Sequence, residues 1–347
     1  MSSINEDPSS FEDALPNIEF YSGEHYLNVW TTLSQNLTFL ENKPEYTVNI
    51  DTPEDGKVLV LRAEVSVGHI LNDTLYSMVL YNKVFPDHKI IILVPFSNDG
   101  LYSPHDGNRP SFIQNSSIWE FIKKVAKKRK IDLEIIHFPA YHDANISIKN
   151  FYAINSIPFA TLIHGNRLGY LELREATLDA VDTSTSGKNK KIYVSRSKTR
   201  PRLSHSFITT GSPPPVNSRV SDDRRVYDEE HLDTLFSEMG FTVVHVQELD
   251  TYEDQVKLFS GASVIAGVTG AGLNNMTFMP PGSTVVEITT PIWAVGNVSL
   301  HNVYKTMSSY LEHNYLSIPA ITNREGSKVA SNIADNTSIY NFLKGLS

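Results

Sequence analysis

Residues 264–287 read VIAGVTGAGLNNMTFMPPGSTVVE, a short apolar run followed by a glycine-rich turn and a second apolar run. The run 264–266 predicts a buried strand. Three glycines then allow a tight turn and a close approach to the backbone: Gly267, Gly270 and Gly272. A helix beginning at about Ala271 would point its free N–H groups and the positive end of its dipole at the turn. The pattern indicates a diphosphate site, or a glycine turn that only serves helix–strand packing.

The same alternation of short apolar runs and amphipathic segments recurs along the chain. Strands are predicted at 58–61, 89–94, 133–138, 192–194, 241–246, 264–266 and 284–288. Helices are predicted at 68–80, 119–128, 228–239, 253–259, from 271, and at 299–311. Such alternation predicts an α/β protein of two doubly wound domains with a cleft between them, built on parallel sheets.

Changes in composition divide the chain. Residues 1–18 are expected to be a flexible arm, and residues 19–181 an N-terminal Rossmann-like domain. The small, polar stretch 182–190 is predicted as a linker, and 191–347 as a C-terminal Rossmann-like domain whose last helix can pack back on the first. The proline-containing stretch 203–223 is predicted as a mobile loop.

Charge and composition exclude several classes. With a net charge of −9 among 347 residues, the chain is not expected to bind nucleic acid, because phosphate backbones need a basic face. It has no cysteine, which excludes disulfides and thiolate catalysis. No apolar run is long enough to span a membrane and the N-terminus does not resemble a signal peptide, so a cytoplasmic location is expected.

Arginines follow the strand that ends at Val194. They are Arg196, Arg200 and Arg202, and then Arg224 and Arg225 before the next predicted helix. If the sheet is parallel, they share an edge with the glycine-rich turn, where guanidinium groups can neutralise a leaving diphosphate. The alternative is a solvated basic loop.

His69 and Asp73 lie four residues apart on a predicted helix of the first domain, and therefore on one face. A carboxylate beside an imidazole can act as general base for a hydroxyl. The alternative is that His69 caps the helix and Asp73 complements its dipole.

Together these residues resemble glycosyltransferase family 61, most clearly from 191 to 315. The matching motifs are Ser195-Arg196, Arg200, Arg224-Arg225-x-x-Asp228-Glu229, Gly240-Phe241, Gln255, Gly270-Ala271-Gly272-Leu273, Asn275, Phe278, Pro280-Pro281-Gly282 and Val285-Val286-Glu287. A weaker match covers 67–80, with Gly68-His69 and Asp73.

The resemblance implies a GT-B fold and an inverting transfer from a nucleotide-sugar, UDP-linked as in UDP-xylose or UDP-GlcNAc, to a hydroxyl of a glycan or glycoprotein. It implies that Asp73 is the base with His69 beside it. Donor-binding residues would be Arg196, Arg200, Arg225, Thr269, Gly270, Ala271, Gly272 and Asn275, with Glu287 on the ribose or buried as a structural carboxylate, and Gln255 either a ligand or helix packing. No metal or other cofactor is expected, since the chain lacks Asp-x-Asp and arginines can replace magnesium in neutralising charge.

Three departures from the family pattern leave alternatives open. Thr269 stands where the family has His, Asp228 replaces Asn, and 203–223 is an insertion. A non-catalytic nucleotide- or sugar-binding relative is therefore a competing interpretation. An NAD-dependent dehydrogenase is a weaker one, because the glycine spacing also resembles a dinucleotide fingerprint.

Overall fold

The computed structural model describes residues 18–28, 38–44, 47–63, 70–94, 111–137, 145–154, 166–184, 186–197, 229–289, 302–319, 322–323, 326–327 and 336–346. They form an α/β protein with two main sheets, one of seven strands and one of five, which confirms the predicted α/β class. A small hairpin, β13 (Thr322–Asn323) with β14 (Gly326–Ser327), stands apart from both.

The first sheet is mixed, which corrects the expectation of a parallel sheet. Its strands are β1 (Ile18–Asn28), β2 (Thr38–Leu40), β3 (Val48–Ile50), β4 (Val58–Arg62), β5 (Lys89–Val94), β6 (Leu133–His137) and β7 (Asn145–Ile154). They are ordered β2-β1-β7-β4-β5-β6, with β3 also on β7. The strands β3 to β7 pair in parallel, but β1 runs antiparallel to β2 and β7. The sequence missed β1, β2, β3 and β7 and found the three apolar runs that became β4, β5 and β6.

Within the described residues, three α-helices accompany this sheet: α1 (Tyr76–Val84), α2 (Ser111–Arg129) and α3 (Arg167–Asp179). The helix predicted over 68–80 begins instead as a π-helical turn, Ile70–Leu75, and only then becomes α1. The start of α3, which the sequence missed, is capped by the Asn166 side chain, which accepts a 2.8 Å hydrogen bond from Gly169 N–H.

The second sheet is parallel throughout, as expected. Its strands are β8 (Lys190–Val194), β9 (Thr242–Val244), β10 (Ala262–Val268), β11 (Thr284–Thr289) and β12 (Asn314–Pro319), ordered β12-β11-β10-β8-β9. Because β9 and β10 lie on opposite sides of β8, the order in which successive strands are added to the sheet reverses between β8 and β10. In open α/β sheets, ligands bind at this switch point, outside the carboxyl ends of the strands.

In the described part of the second half there are four α-helices: α4 (Glu229–Glu238), α5 (Tyr252–Ser260), α6 (Val303–Tyr310) and α7 (Thr337–Gly345). A single 3-10 turn, Val246–Glu248, follows β9. The α-helix predicted from about Ala271 is instead a 3-10 helix, Ala271–Phe278, and β10 before it extends to Val268 rather than ending at Ala266. The last helix, α7, packs on the second sheet through the buried Leu343.

A shared layer of helices joins the two sheets. One hydrophobic cluster contains Leu59 and Ile90 of the first sheet together with Ile192 and Ile265 of the second. In this layer α2 packs on α5, and α3 packs on both α6 and the 271–278 helix. The domain boundaries of the sequence analysis stay predictions. Within the described part of the chain, no helix combines the length and apolar character needed to cross a bilayer.

Candidate functional site at the carboxyl edge of the second sheet

The switch point brings Arg196 and the glycine-rich turn together. Arg196 is two residues beyond the end of β8, and Gly270 two beyond the end of β10. The Arg196 Nη1 atom lies 3.6 Å from the position that a Cβ on Gly270 would occupy. The guanidinium therefore lies against the turn, so a positive charge and the start of the 271–278 helix face one location.

Gly272 allows the 271–278 helix to approach β8. A Cβ on Gly272 would lie 2.6 Å from Val194 Cγ1, closer than any ordinary contact. Val194 is buried and its side chain is branched at Cβ, so it has little freedom to turn away. The first N–H groups of the helix have no acceptor within the helix itself, and Ala271 among them is exposed. The turn can therefore offer backbone donors to an anion.

Thr269 points its donors into the protein. Its backbone N–H donates to Ile288 O at 3.0 Å, and its hydroxyl donates to Glu287 Oε1 at 2.7 Å. The other oxygen of this buried carboxylate accepts a 2.5 Å hydrogen bond from the Tyr315 hydroxyl. Burial, followed by the charge of Glu287, raises the pKa of Tyr315, so this hydroxyl keeps its proton. Glu287 thus ties β10, β11 and β12 together, an arrangement that favours the structural alternative for this residue.

Gln255 and Asn275 form a buried pair beneath the turn. Gln255 Nε2 donates to Asn275 Oδ1 at 2.7 Å, and Asn275 Nδ2 donates to Gly272 O at 2.8 Å. Both side chains are buried. These hydrogen bonds connect α5 to the first turn of the 271–278 helix, so both residues fix the position of the turn from below.

Asp73 belongs to the first sheet and lies in the π-helical turn after β4, almost fully buried. It is close to Tyr170 of α3. Burial raises the pKa of Tyr170 well above its usual value, and nearby Tyr76 and Asp73 add to the shift. π-Helical turns occur frequently at functional sites.

The remaining sequence-predicted site residues lie outside the described part of the chain. They are His69, Arg200, Arg225 and the stretch 203–223 with Asp228. Their roles stay predictions, as does the absence of a metal.

A polar cluster on the other side of Arg196 was missed by the sequence analysis. Ser197 Oγ donates to Asp233 Oδ2 of α4 at 2.7 Å, and Ser195 Oγ to Ser197 Oγ at 3.0 Å. His245, the first residue after β9, has its Nε2 atom 4.0 Å from the same Asp233 oxygen. Only Ser195 belonged to a recognised motif; Asp233 and His245 have no spacing that would have marked them, because strand order alone brings them together.

Comparison with known proteins gives a match to the family model described as glycosyltransferase 61 over residues 67–286, more than half of the chain. The chain belongs to the glycosyltransferase 61 family. Comparison with curated proteins gives no match. The predicted family is thus confirmed, and the matched region extends from just before His69 almost to Glu287.

Membership in the glycosyltransferase 61 family indicates a glycosyltransferase, which acts on a donor and an acceptor. The matched region includes the π-helical turn of the first sheet as well as the switch point of the second. Both halves of the candidate site therefore lie within the part of the chain that carries the family character.

Proposed function

We propose that the protein is an inverting glycosyltransferase of GT-B type that uses a UDP-linked sugar without a metal. The observation that carries this proposal is the position of the Arg196 guanidinium against the glycine-rich turn at the switch point. A cation, a helix start and a close-approach glycine at one place are the groups that a diphosphate requires. Arg200 and Arg225 are proposed to complete its charge neutralisation.

The diphosphate is the leaving group of the proposed reaction. The acceptor hydroxyl oxygen bonds to the anomeric carbon while the bond from that carbon to the diphosphate oxygen breaks, and the electron pair leaves with UDP. Arg196 and the backbone N–H groups of Ala271 and Gly272 stabilise the charge that develops on the departing oxygen. Each preorganised donor of this kind contributes roughly 10²–10³ in rate.

Asp73 is proposed to take the proton of the acceptor hydroxyl, with His69 beside it. A carboxylate within hydrogen-bond reach of the acceptor hydroxyl can accept its proton as the new bond to the anomeric carbon forms. Attack from the side opposite the leaving group inverts the anomeric configuration. The acceptor is proposed to be a glycan or glycoprotein hydroxyl.

The proposal is tested with UDP-xylose and UDP-GlcNAc, by measuring UDP binding calorimetrically and UDP release enzymatically, with and without EDTA. Arg196→Ala is expected to weaken UDP binding at least tenfold, because a charge-assisted contact is lost. Arg167→Ala is the matched control, since Arg167 pairs instead with Glu312 on the surface. Asp73→Asn is expected to keep UDP binding and lose turnover.

Two results would overturn the proposal. If NADH quenches intrinsic fluorescence on binding and UDP does not bind, the site takes a dinucleotide. If UDP binds but neither wild type nor Asp73→Asn releases it from the UDP-sugar above background, the binding-only interpretation stands; equal rates well above background would show instead that Asp73 is not the base.

A further inference from the structure

At the carboxyl edge of the second sheet, polar side chains lie on either side of Arg196, towards β11 and towards β9. The two groups differ in how many of their buried polar atoms have hydrogen-bond partners. On the β11 side, both oxygens of Glu287 accept hydrogen bonds from protein hydroxyls. On the β9 side, three buried atoms have no hydrogen-bond partner among the described residues: Asp233 Oδ1, His245 Nδ1 and Gln247 Nε2. Buried polar atoms are nearly always paired, so a group of three unpaired ones requires an explanation.

The residues that carry these atoms come from one corner of the second sheet. Strand β9 pairs with β8 so that Val244 is level with Val194, and Ser195 N–H donates to Val244 O at 2.9 Å. His245 is therefore level with Ser195, on the strand next to it, about 4.8 Å away. Gln247 follows two residues later in the 3-10 turn.

Asp233 completes the group from α4. Its Oδ2 atom accepts from Ser197 and faces His245, which fixes the carboxylate and leaves Oδ1 as an acceptor. Arg196 lies between Ser195 and Ser197 in sequence. The Ser197 side chain contacts Asp233, whereas the Arg196 side chain lies against Gly270. The group thus adjoins the proposed diphosphate position.

We propose that Asp233, His245 and Gln247 hold the nucleoside of the donor; this rests on the proposed function. A ribose hydroxyl donates to Asp233 Oδ1, and a second ribose oxygen pairs with His245 Nδ1. The Gln247 amide donates to a carbonyl oxygen of the base. This assignment places the ribose on the β9 side rather than at Glu287.

The chemistry of Gln247 makes it a specificity-determining residue. In its orientation in the structure the Gln247 amide presents an N–H donor, which matches the carbonyl oxygen at position 4 of uracil; cytosine has an amino group there and would require the amide to turn over. A site built to pair a specific hydrogen-bonding group discriminates strongly against a partner lacking it, because buried polar groups are then left unpaired. Uridine diphosphates are therefore the expected class of donor.

The test compares calorimetric binding of UDP, 2′-deoxy-UDP and CDP. The wild type is expected to prefer UDP over 2′-deoxy-UDP by about tenfold or more, because a hydrogen bond to the charged Asp233 carboxylate is lost, and over CDP by about tenfold, because the buried Gln247 donor is left unpaired. Asp233→Asn should reduce the preference for UDP over 2′-deoxy-UDP towards one. Gln247→Glu, which exchanges a donor for an acceptor, should reduce or reverse the preference for UDP over CDP.

Two control variants define the comparison. Glu230→Gln changes an exposed carboxylate almost one turn earlier on the same helix and should leave every ratio unchanged. Glu287→Gln should keep the preference for the ribose hydroxyl, if Glu287 is structural. Should Asp233→Asn fail to fold, Gln247→Glu still decides the assignment.

Contrary results separate this inference from the proposed function. If UDP binding depends on Arg196 but Asp233→Asn and Gln247→Glu leave both ratios unchanged, the nucleoside lies elsewhere and only this inference fails. Loss of ribose discrimination in Glu287→Gln alone would also overturn it, in favour of the β11 side. If no nucleoside diphosphate binds to the wild type, the proposed function fails with it.

Discussion

Replacement of Gly272 by alanine should expose how tightly the 271–278 helix is pressed against β8. The added Cβ would lie 2.6 Å from Val194 Cγ1, whereas ordinary contacts begin near 3.4 Å, so the helix and strand must separate by almost 1 Å. Overpacking of this kind costs about 1–3 kcal/mol. The free energy of unfolding, measured with urea, should fall by that amount.

A double-mutant cycle isolates the proposed clash. Val194→Ala alone removes buried methyl groups and should cost about 1–3 kcal/mol. In the double variant the shortened side chain makes room for the new methyl group, so the combined loss should be smaller than the sum by about 1 kcal/mol or more. A favourable coupling of this size is specific to direct contact between the two side chains.

Gly345→Ala is the matched control, because a Cβ there meets no atom within 4 Å and the residue ends α7. It should leave stability unchanged or raise it by up to about 1 kcal/mol, through the lower backbone entropy of alanine in the unfolded chain. If Gly272→Ala behaves like Gly345→Ala, or if the two costs at Gly272 and Val194 simply add, the close approach of helix and strand is refuted.

Burial lowers the pKa of His313 to about 4 from 6.5, so protonation favours the unfolded chain and stability is lost as pH falls from 6.5 towards 4. Between pH 7 and pH 5 His313→Gln should lose about 2 kcal/mol less than wild type in urea unfolding; equal losses would contradict this. Gly169→Ala would place a Cβ 2.0 Å from the Tyr76 hydroxyl, so it should lower the free energy of unfolding by about 1–3 kcal/mol and with it the melting temperature. An unchanged melting temperature would refute the contact. Gln255→Leu should cost about 1–3 kcal/mol by leaving the Asn275 oxygen unpaired in the interior; a neutral chemical-denaturation curve would show that the pair contributes nothing.

Local sequence predicted the positions of most of the parallel strands correctly. The runs that became β4, β5 and β10 are almost entirely apolar. Strands that are covered on both faces have no solvent-exposed side, so their sequences do not alternate between polar and apolar residues. By contrast β1 and β7 hold each other by long-range antiparallel pairing, which leaves no local apolar run of comparable strength. That difference explains why the first sheet was expected to be wholly parallel.

The local form of the glycine-rich segment was decided by packing. Its sequence predicted a helix start, and a helix does begin at Ala271, but as a 3-10 helix. The segment is held between Val194 on one side and the Gln255–Asn275 pair on the other, contacts from elements far apart in sequence. Helix propensity and hydrophobic periodicity depend only on local sequence and carry no information on these long-range contacts. They could therefore not distinguish an α-helix from a 3-10 helix in this segment.

The sequence by itself determined the family, the alternating α/β pattern and the residue types of a diphosphate site, since all of these are carried by short ordered motifs. Tertiary structure alone decided which of those residues meet. Strand order brings Arg196 to Gly270 across the switch point, directs the Thr269 hydroxyl to Glu287, and gathers Asp233 and His245 beside Ser197. The physical reason is that neighbours at a parallel sheet edge are set by pairing between strands, whose residues are separated by tens of positions along the chain.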